Sequence, residues 1–244
     1  MSYGLLDLPA PLFDGMDAAF AIVLPPIARL VVWALIGAVV SMLLYYFLTP
    51  QKRIGIAKQK AADARRRLND FDGEFSEAGS LIGDQFKTSF RHIGLVLPGT
   101  VLASLPVLCL LIWMETTYGH GYPPAGQTPA IATQPESASA RWVAPSEPGG
   151  VPHVQVLGPG DEVTADLEWV APVSVVHERQ WWNWLIGNPV GYLPNDGPAS
   201  QIRVELPEKH YLEIGPNWMH SWLFVFFPVL VITSLLIHRF SRIK

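Results

Sequence analysis

Hydrophobic residues are concentrated in three long segments of this chain, at residues 27–48, 93–114 and 218–238. Each segment is close to the roughly 20 residues that an α-helix needs to cross the hydrocarbon core of a bilayer. The pattern therefore predicts three transmembrane helices. Residues 1–26 mix Leu, Phe and Ile with three Asp and several Pro, which predicts an arm lying in the membrane interface rather than a fourth span.

The sequence between the first two spans has helical periodicity. Within residues 51–68 apolar side chains recur every three or four positions, at Ile54, Ala57, Ala61, Ala64 and Leu68. Residues 80–92 resume this spacing after a turn-rich stretch at 70–79. We therefore predict an antiparallel helical hairpin over residues 49–92, packed through an apolar stripe formed by Leu68, Leu81, Phe86 and Phe90.

The region between the second and third spans divides into two parts. Residues 115–150 are rich in Pro, Gly, Ser and Ala, which predicts an extended linker. In residues 151–217, apolar and polar positions alternate at 151–176 and 201–206, and a further strand is expected at 211–214. The sequence thus predicts a small β-rich domain.

The distribution of positive charge predicts how the spans are oriented. Residues 51–92 hold nine of the chain's 17 Lys and Arg residues: Lys52, Arg53, Lys58, Lys60, Arg65, Arg66, Arg67, Lys87 and Arg91. The tail at 239–244 is also basic, whereas 1–26 and 115–217 are acidic. The positive-inside rule then predicts a plasma (inner) membrane protein with its N-terminus outside and its C-terminus in the cytoplasm.

Composition narrows the classes of protein and partner. Hydrophobic residues make up 50% of the chain and charged residues only 16%, which excludes an ordinary soluble domain. The acidic region between the second and third spans gives no reason to expect DNA as a partner. The basic hairpin is either a solvated loop or a surface for anionic lipid or ribosomal RNA.

Catalytic and cofactor-binding patterns are missing from the sequence. There is no phosphate-binding glycine loop and no nucleophile elbow, so we do not expect an enzyme. The seven His residues are dispersed, and no metal site or cofactor is expected. A haem held between His92 and His238 is an alternative to two interfacial histidines if the second and third spans pack side by side.

The order of short motifs along the chain resembles the YidC/Oxa insertase superfamily. These motifs are LPP at 24–26, LTPQ at 48–51, LPGT at 97–100 and IWM at 112–114, with the basic hairpin between the first two spans. The chain is most similar to the branch with archaeal YidC-like proteins and the third subunit of the ER membrane protein complex. The resemblance implies that three spans form a groove open to the cytoplasm and the lipid, and that the hairpin engages substrates or partner subunits.

The chain departs from the family pattern in two places. Bacterial relatives have an Arg deep in the first core span, whereas Arg29 lies near the outer end here. We expect Arg29 either to reach outward to the membrane surface or to line the groove. The β-rich domain is also an insertion, because this branch normally has a short connection there.

The expected function is that of an insertase-like or membrane-assembly factor without enzymatic activity. The groove candidates are the polar residues of the three spans, namely Arg29, Ser41, Tyr45, Thr100, Ser104, Thr233 and Ser234. Such residues alternatively serve helix packing. Arg65, Arg66 and Arg67 are the hairpin residues expected to contact partners: hydrophobic protein substrates, other membrane subunits or the ribosome, with lipids around the spans. The alternative function is a structural subunit of a larger membrane complex.

Overall fold

A computed structural model describes residues 3–73, 78–145, 147 and 149–241. Arg242 and Lys244, which belong to the predicted basic tail, lie outside the described residues. The chain divides into two compact units. We call residues 1–31 with 108–226 the sheet unit, and residues 32–107 with 227–244 the helix unit.

The described residues form five α-helices: α1 Ala10–Ala21, α2 Pro26–Leu48, α3 Gln51–Asn69, α4 Gly79–Met114 and α5 Trp222–Phe240. Three of them, α2, α4 and α5, are long and apolar enough to cross a membrane. This finding confirms the three predicted apolar helices and supports a membrane protein. The basic helix predicted over 51–68 is confirmed as α3.

Helix α4 differs from the prediction. The second hairpin helix and the second span were expected as separate segments, at 80–92 and 93–114, but they form one continuous helix of 36 residues. Its backbone continues into a π-helical turn at Glu115–Gly119. The third span also begins later than predicted, at Trp222, because Asn217–Met219 form a 3-10 turn.

The apolar stripe predicted on the second hairpin helix is wrong for two of its members. Phe86 and Phe90 are 60% and 67% exposed, and their rings stack on each other with centroids 6.3 Å apart. The reason lies further along α4, where a side chain on Gly99 would collide with Cγ2 of Thr49. This close approach fixes the rotation of α4, and at 100° per residue it turns positions 86 and 90 to the far side.

Six strands form two antiparallel sheets in the sheet unit. The sheet order is β1-β6-β5 in one and β2-β3-β4 in the other. Their bounds are β1 Ile131–Gln134, β2 Ser139–Val143, β3 His153–Leu157, β4 Val163–Glu168, β5 Val175–His177 and β6 Gln201–Val204. The linker predicted over 115–150 is therefore wrong, since it contributes β1 and β2. Residues 211–214 form no strand.

The core of the sheet unit follows from period-2 alternation. Val154 and Val156 of β3 are buried while their neighbours are partly exposed, and Ile202 and Val204 of β6 repeat the pattern. These residues pack in one cluster with the fully buried Trp169. Alternation of this kind places every second side chain on the inner face of a sheet.

The N-terminal arm is attached to the sheet unit. It contains a 3-10 turn at Leu5–Asp7 followed by α1. The backbone nitrogen of Leu6 donates to the carbonyl of Leu185 at 2.9 Å, and Gly187 donates its N–H to the Asp7 carboxylate at 2.6 Å. The arm is thus held by specific hydrogen bonds close to the 3-10 helix Trp181–Trp184.

Candidate functional site

The helix unit contains a cavity of about 460 Å³ to which α2, α3, α4 and α5 all contribute. We call it the three-helix cavity, after the three apolar helices among them. Its polar lining consists of Tyr45, Lys58, His92, Thr100, Ser234 and His238, and its remaining walls are aliphatic. The structure therefore brings together three of the predicted groove residues, Tyr45, Thr100 and Ser234.

Local geometry explains how these side chains reach the same space. Ser234 and His238 are one turn apart on α5, so they share a face. Thr100 follows Gly99 directly, where α4 passes closest to Thr49, and its hydroxyl donates to the Val96 carbonyl at 3.1 Å. Tyr45 lies one turn before Thr49 and accepts the Thr49 hydroxyl on its carbonyl. The contact between the C-terminal end of α2 and the middle of α4 thus positions Tyr45 and Thr100.

The chemistry of the three-helix cavity is that of hydrogen bonding without strong charge. Hydroxyl and imidazole groups donate and accept hydrogen bonds. Among the described residues that line the cavity, Lys58 is the one cation and none is a carboxylate. His92 and His238 both line this cavity. Among the residues that the structure describes, no group of three or more His, Cys, Asp or Glu side chains is placed to hold a metal ion.

Four of the predicted groove residues do not line this cavity. The Ser104 hydroxyl donates to the Val101 carbonyl at 2.8 Å, a bond within its own helix. The Ser41 hydroxyl is buried without a hydrogen-bond partner in the described chain. Thr233 is half-buried on α5 next to Ser234 but outside the cavity lining. For these residues a packing role is the simpler interpretation.

Arg29, the fourth, belongs to the sheet unit and does not line the three-helix cavity. Its guanidinium forms an ion pair with Asp17 of α1, and the two side chains are only 18% and 9% exposed. The guanidinium also lies over the Tyr118 ring, 5.6 Å from the centroid. Asp17 therefore neutralises a cation that would be costly near the membrane.

Two tyrosines complete the surroundings of this ion pair. The Tyr118 hydroxyl donates to Asp17, and the Tyr211 hydroxyl donates to the Tyr118 carbonyl at 2.9 Å. Burial, with a further contribution from the Asp17 charge, raises the pKa of Tyr211 to about 12 against the opposing effect of Arg29. Tyr211 consequently stays protonated and remains a hydrogen-bond donor at physiological pH.

A second cavity, of about 670 Å³, lies between α3 and the first part of α4. We call it the hairpin groove. It is lined by five cations, Arg53, Lys60, Arg67, Lys87 and Arg91, and by the acids Asp63 and Asp84. The described ion pair within it joins Arg67 to Asp84 at 2.5 Å. The excess of cations makes the groove suited to an acidic segment or another polyanion.

The hairpin groove includes only one of the three Arg residues predicted to contact partners. Arg67 lines it, whereas Arg65 and Arg66 do not. The other four cations of the groove were not among the predicted contact residues, although Arg53, Lys60 and Arg67 recur at intervals of seven residues. That spacing places all three on one face of a helix, and it was the available signal.

Comparison with protein-family models, with curated proteins and with solved structures finds no match for this chain.

Proposed function

We propose that this chain is an insertase-like membrane-assembly factor that resembles the YidC/Oxa superfamily. The observation that carries the proposal is the three-helix cavity, in which polar side chains from all three apolar helices meet. The proposed orientation has the hairpin and the basic tail in the cytoplasm, with residues 1–26 and 115–217 on the outer side of the inner membrane. The cavity then lies at the cytoplasmic end of the spans, next to the hairpin.

The physical task of such a cavity is to lower the cost of moving polar groups into lipid. A peptide group without a hydrogen-bond partner costs several kcal/mol in hydrocarbon, by order of magnitude. Hydroxyl and imidazole groups on the cavity wall supply partners for the polar flank of an incoming segment, while its apolar part stays in the lipid. The basic hairpin groove is lined by α3 and α4, which also contribute to the three-helix cavity. Its cations attract the acidic flank of a segment before insertion.

The contact between two sequence motifs gives further support. The LTPQ motif supplies Thr49 and the LPGT motif supplies Gly99, and these two residues pack against each other in the helix unit. Thr49 is only 5% exposed. The two motifs, far apart in sequence, therefore pack against each other. This contact explains why both motifs occur in one protein.

Reconstitution tests the proposal directly. The purified chain, alone in liposomes, should insert a substrate that has one apolar segment and a short polar tail, measured by protease protection of the tail. Empty liposomes and liposomes with heat-denatured protein are the controls. Equal protection in all three would refute the proposal. Inactivity of the chain alone, with co-purification of partners in fixed stoichiometry, would instead support the structural-subunit alternative.

The proposed orientation predicts opposite labelling of two exposed sites. Ser76 and Ser146 suit this purpose from sequence but lie outside the described residues, so we choose Ala62 on α3 and Ser139 on β2, both exposed. In a Cys109→Ala background, a membrane-impermeant maleimide added to intact cells should label Ser139→Cys but not Ala62→Cys. Labelling of Ala62→Cys from outside would overturn the orientation and the insertase proposal together.

If the hairpin groove binds partners, the position of each cation in residues 51–92 should affect partner binding, and not only the number of cations. Changing Arg53, Lys60 and Lys87 to Gln should lower co-purification of substrates or partners and make it less sensitive to salt, because these cations line the groove. The matched control changes Lys52, Arg65 and Arg66 to Gln, outside the groove. Both variants keep six of the nine loop cations, so topology should persist. Equal losses in both variants would show that only overall charge counts.

A further inference from the structure

A third cavity, of about 540 Å³, lies wholly within the sheet unit and shares no residue with the three-helix cavity. We call it the arm cavity, because Asp7 and Asp14 of the N-terminal arm line it together with Trp113, Tyr122 and Lys209. Its volume falls in the range of pockets for small ligands. Aromatic side chains, carboxylates and a cation thus line one pocket that is open to the surroundings.

Hydrogen bonds hold each wall of the arm cavity in place. The Trp113 indole donates to one oxygen of Asp14 at 2.7 Å, and Lys209 donates to the Thr117 carbonyl at 2.7 Å. The Tyr122 hydroxyl donates to the carbonyl of buried Trp169 at 2.7 Å. The Trp169 indole in turn closes the lining loop 170–172 by donating to Val173 at 3.1 Å. The site is therefore organised before any ligand binds.

The charged groups of the arm cavity keep unused hydrogen-bonding capacity within the described chain. Asp7 accepts two backbone N–H groups on a single oxygen, and Asp14 uses one oxygen for Trp113. Each carboxylate therefore has a second oxygen without a described donor. Lys209 forms no ion pair with a described carboxylate, and it has two N–H donors beyond its bond to Thr117. Partial burial, followed by the charge of Arg29, lowers the pKa of Lys209, so an anion beside it would be favourable.

The position of the arm cavity along α4 indicates the source of its ligand. Trp113, Thr116 and Thr117 line it, and they belong to the last turns of the apolar helix that ends at Gly119. The end of a membrane-spanning helix lies at the level of the lipid headgroups, where Trp and Tyr are enriched. The arm beside it exposes Leu8 and Leu12, apolar side chains of the kind that enter the headgroup region.

We propose that the arm cavity binds the headgroup of phosphatidylethanolamine. The lipid phosphate would accept hydrogen bonds from Lys209, and its primary ammonium would donate to the unused oxygens of Asp7 and Asp14. A choline headgroup has the same charges but no ammonium N–H, so it would leave both carboxylates without donors. A phosphatidylglycerol headgroup offers the phosphate and neutral hydroxyl donors, but no cation for the two carboxylates.

Native mass spectrometry of the full chain, released from nanodiscs with equal amounts of two lipids, tests this inference. Phosphatidylethanolamine should be retained about fivefold over phosphatidylcholine, the effect of roughly one charge-assisted hydrogen bond at a partly exposed site. Asp14→Asn, which keeps the acceptor for Trp113, should abolish the preference. Lys209→Met should lower the retention of both lipids, because both carry the phosphate, and Lys209→Arg should keep that retention. Asp196→Asn and Arg203→Gln, exposed and outside the cavity, are the charge-matched controls.

Each other outcome is decisive. Equal retention of the two lipids, an unchanged preference in Asp14→Asn, or undiminished retention of both lipids in Lys209→Met would overturn the site. Retention of phosphatidylglycerol as strong as that of phosphatidylethanolamine would reduce it to an anion site and refute the headgroup assignment. Binding of soluble phosphoethanolamine to the detergent-solubilised chain, as tight as binding of the lipid, would keep the ligand chemistry but refute a lipid as its source. Lipid retention is measured without any insertion assay. Failure of the lipid-binding proposal can therefore be distinguished from failure of the proposed insertase function.

Discussion

Replacing Asp17 with Ala is expected to lower the free energy of unfolding by about 3 kcal/mol, because it leaves the Arg29 guanidinium buried without its partner. The same change removes the acceptor of the Tyr118 hydroxyl. Unfolding of the purified chain in mixed detergent and SDS micelles measures the effect. The exposed carboxylate of Asp196 offers a control, and its replacement by Ala should change stability by no more than about 0.5 kcal/mol.

A double variant separates the ion pair from simple loss of packing. Arg29→Met in the Asp17→Ala chain should recover much of the lost stability, because it removes the uncompensated cation. If the double variant were as unstable as the sum of the two single variants, the two charges would not be energetically coupled. The ion pair would then be excluded as the source of the effect.

Under the proposed function, removing the hydroxyl groups of the three-helix cavity is expected to slow insertion of a short-tailed substrate by about twentyfold. The variant combines Tyr45→Phe, Thr100→Val and Ser234→Ala, which keep side-chain volume nearly constant. Hydrogen bonds inside a membrane contribute about 0.6 kcal/mol each, and three of them account for a change of this order. Protease protection in proteoliposomes measures the rate.

The structure offers a matched control for that experiment. Ser104 and Thr233 were predicted as groove residues on the same grounds, but they do not line the cavity. Ser104→Ala combined with Thr233→Val should therefore leave the insertion rate within about twofold of the parent, since one exposed or packed hydroxyl contributes little. A loss as large as that of the cavity variant would mean that hydroxyl content in general matters, and the cavity would lose its assignment.

Elements with strong periodicity were predictable from the sequence. The three apolar helices, the basic helix α3 and the alternation at Val154 and Val156 each carry their own local signal. In strands β1 and β2 the local sequence signal is weak. In β2 the inner positions Ala140 and Trp142 pack against the core cluster but are only partly buried, and every residue of the strand pairs with β3.

The sites were harder to predict because they depend on distant contacts. Sequence alone ranks Thr100 and Ser104 as equivalent hydroxyls, one turn apart on the same face of α4. Their level along the helix decides between them, because Thr100 lies next to Gly99, where α4 contacts Thr49. Likewise, the partner of Arg29 is Asp17 of the arm, and no local pattern in the first span reveals a partner on another helix.

The continuity of α4 makes the hairpin and most of the second span one mechanical part. Residues 79–107 alone extend about 43 Å at 1.5 Å per residue, with Gly99 against Thr49 as the pivot. A partner that grips the first turns of α4 therefore applies a torque about that pivot, and the intramembrane arm of the lever swings in the opposite direction. Docking at the hairpin would in this way widen or narrow the space between α4 and α5 without any ligand entering it.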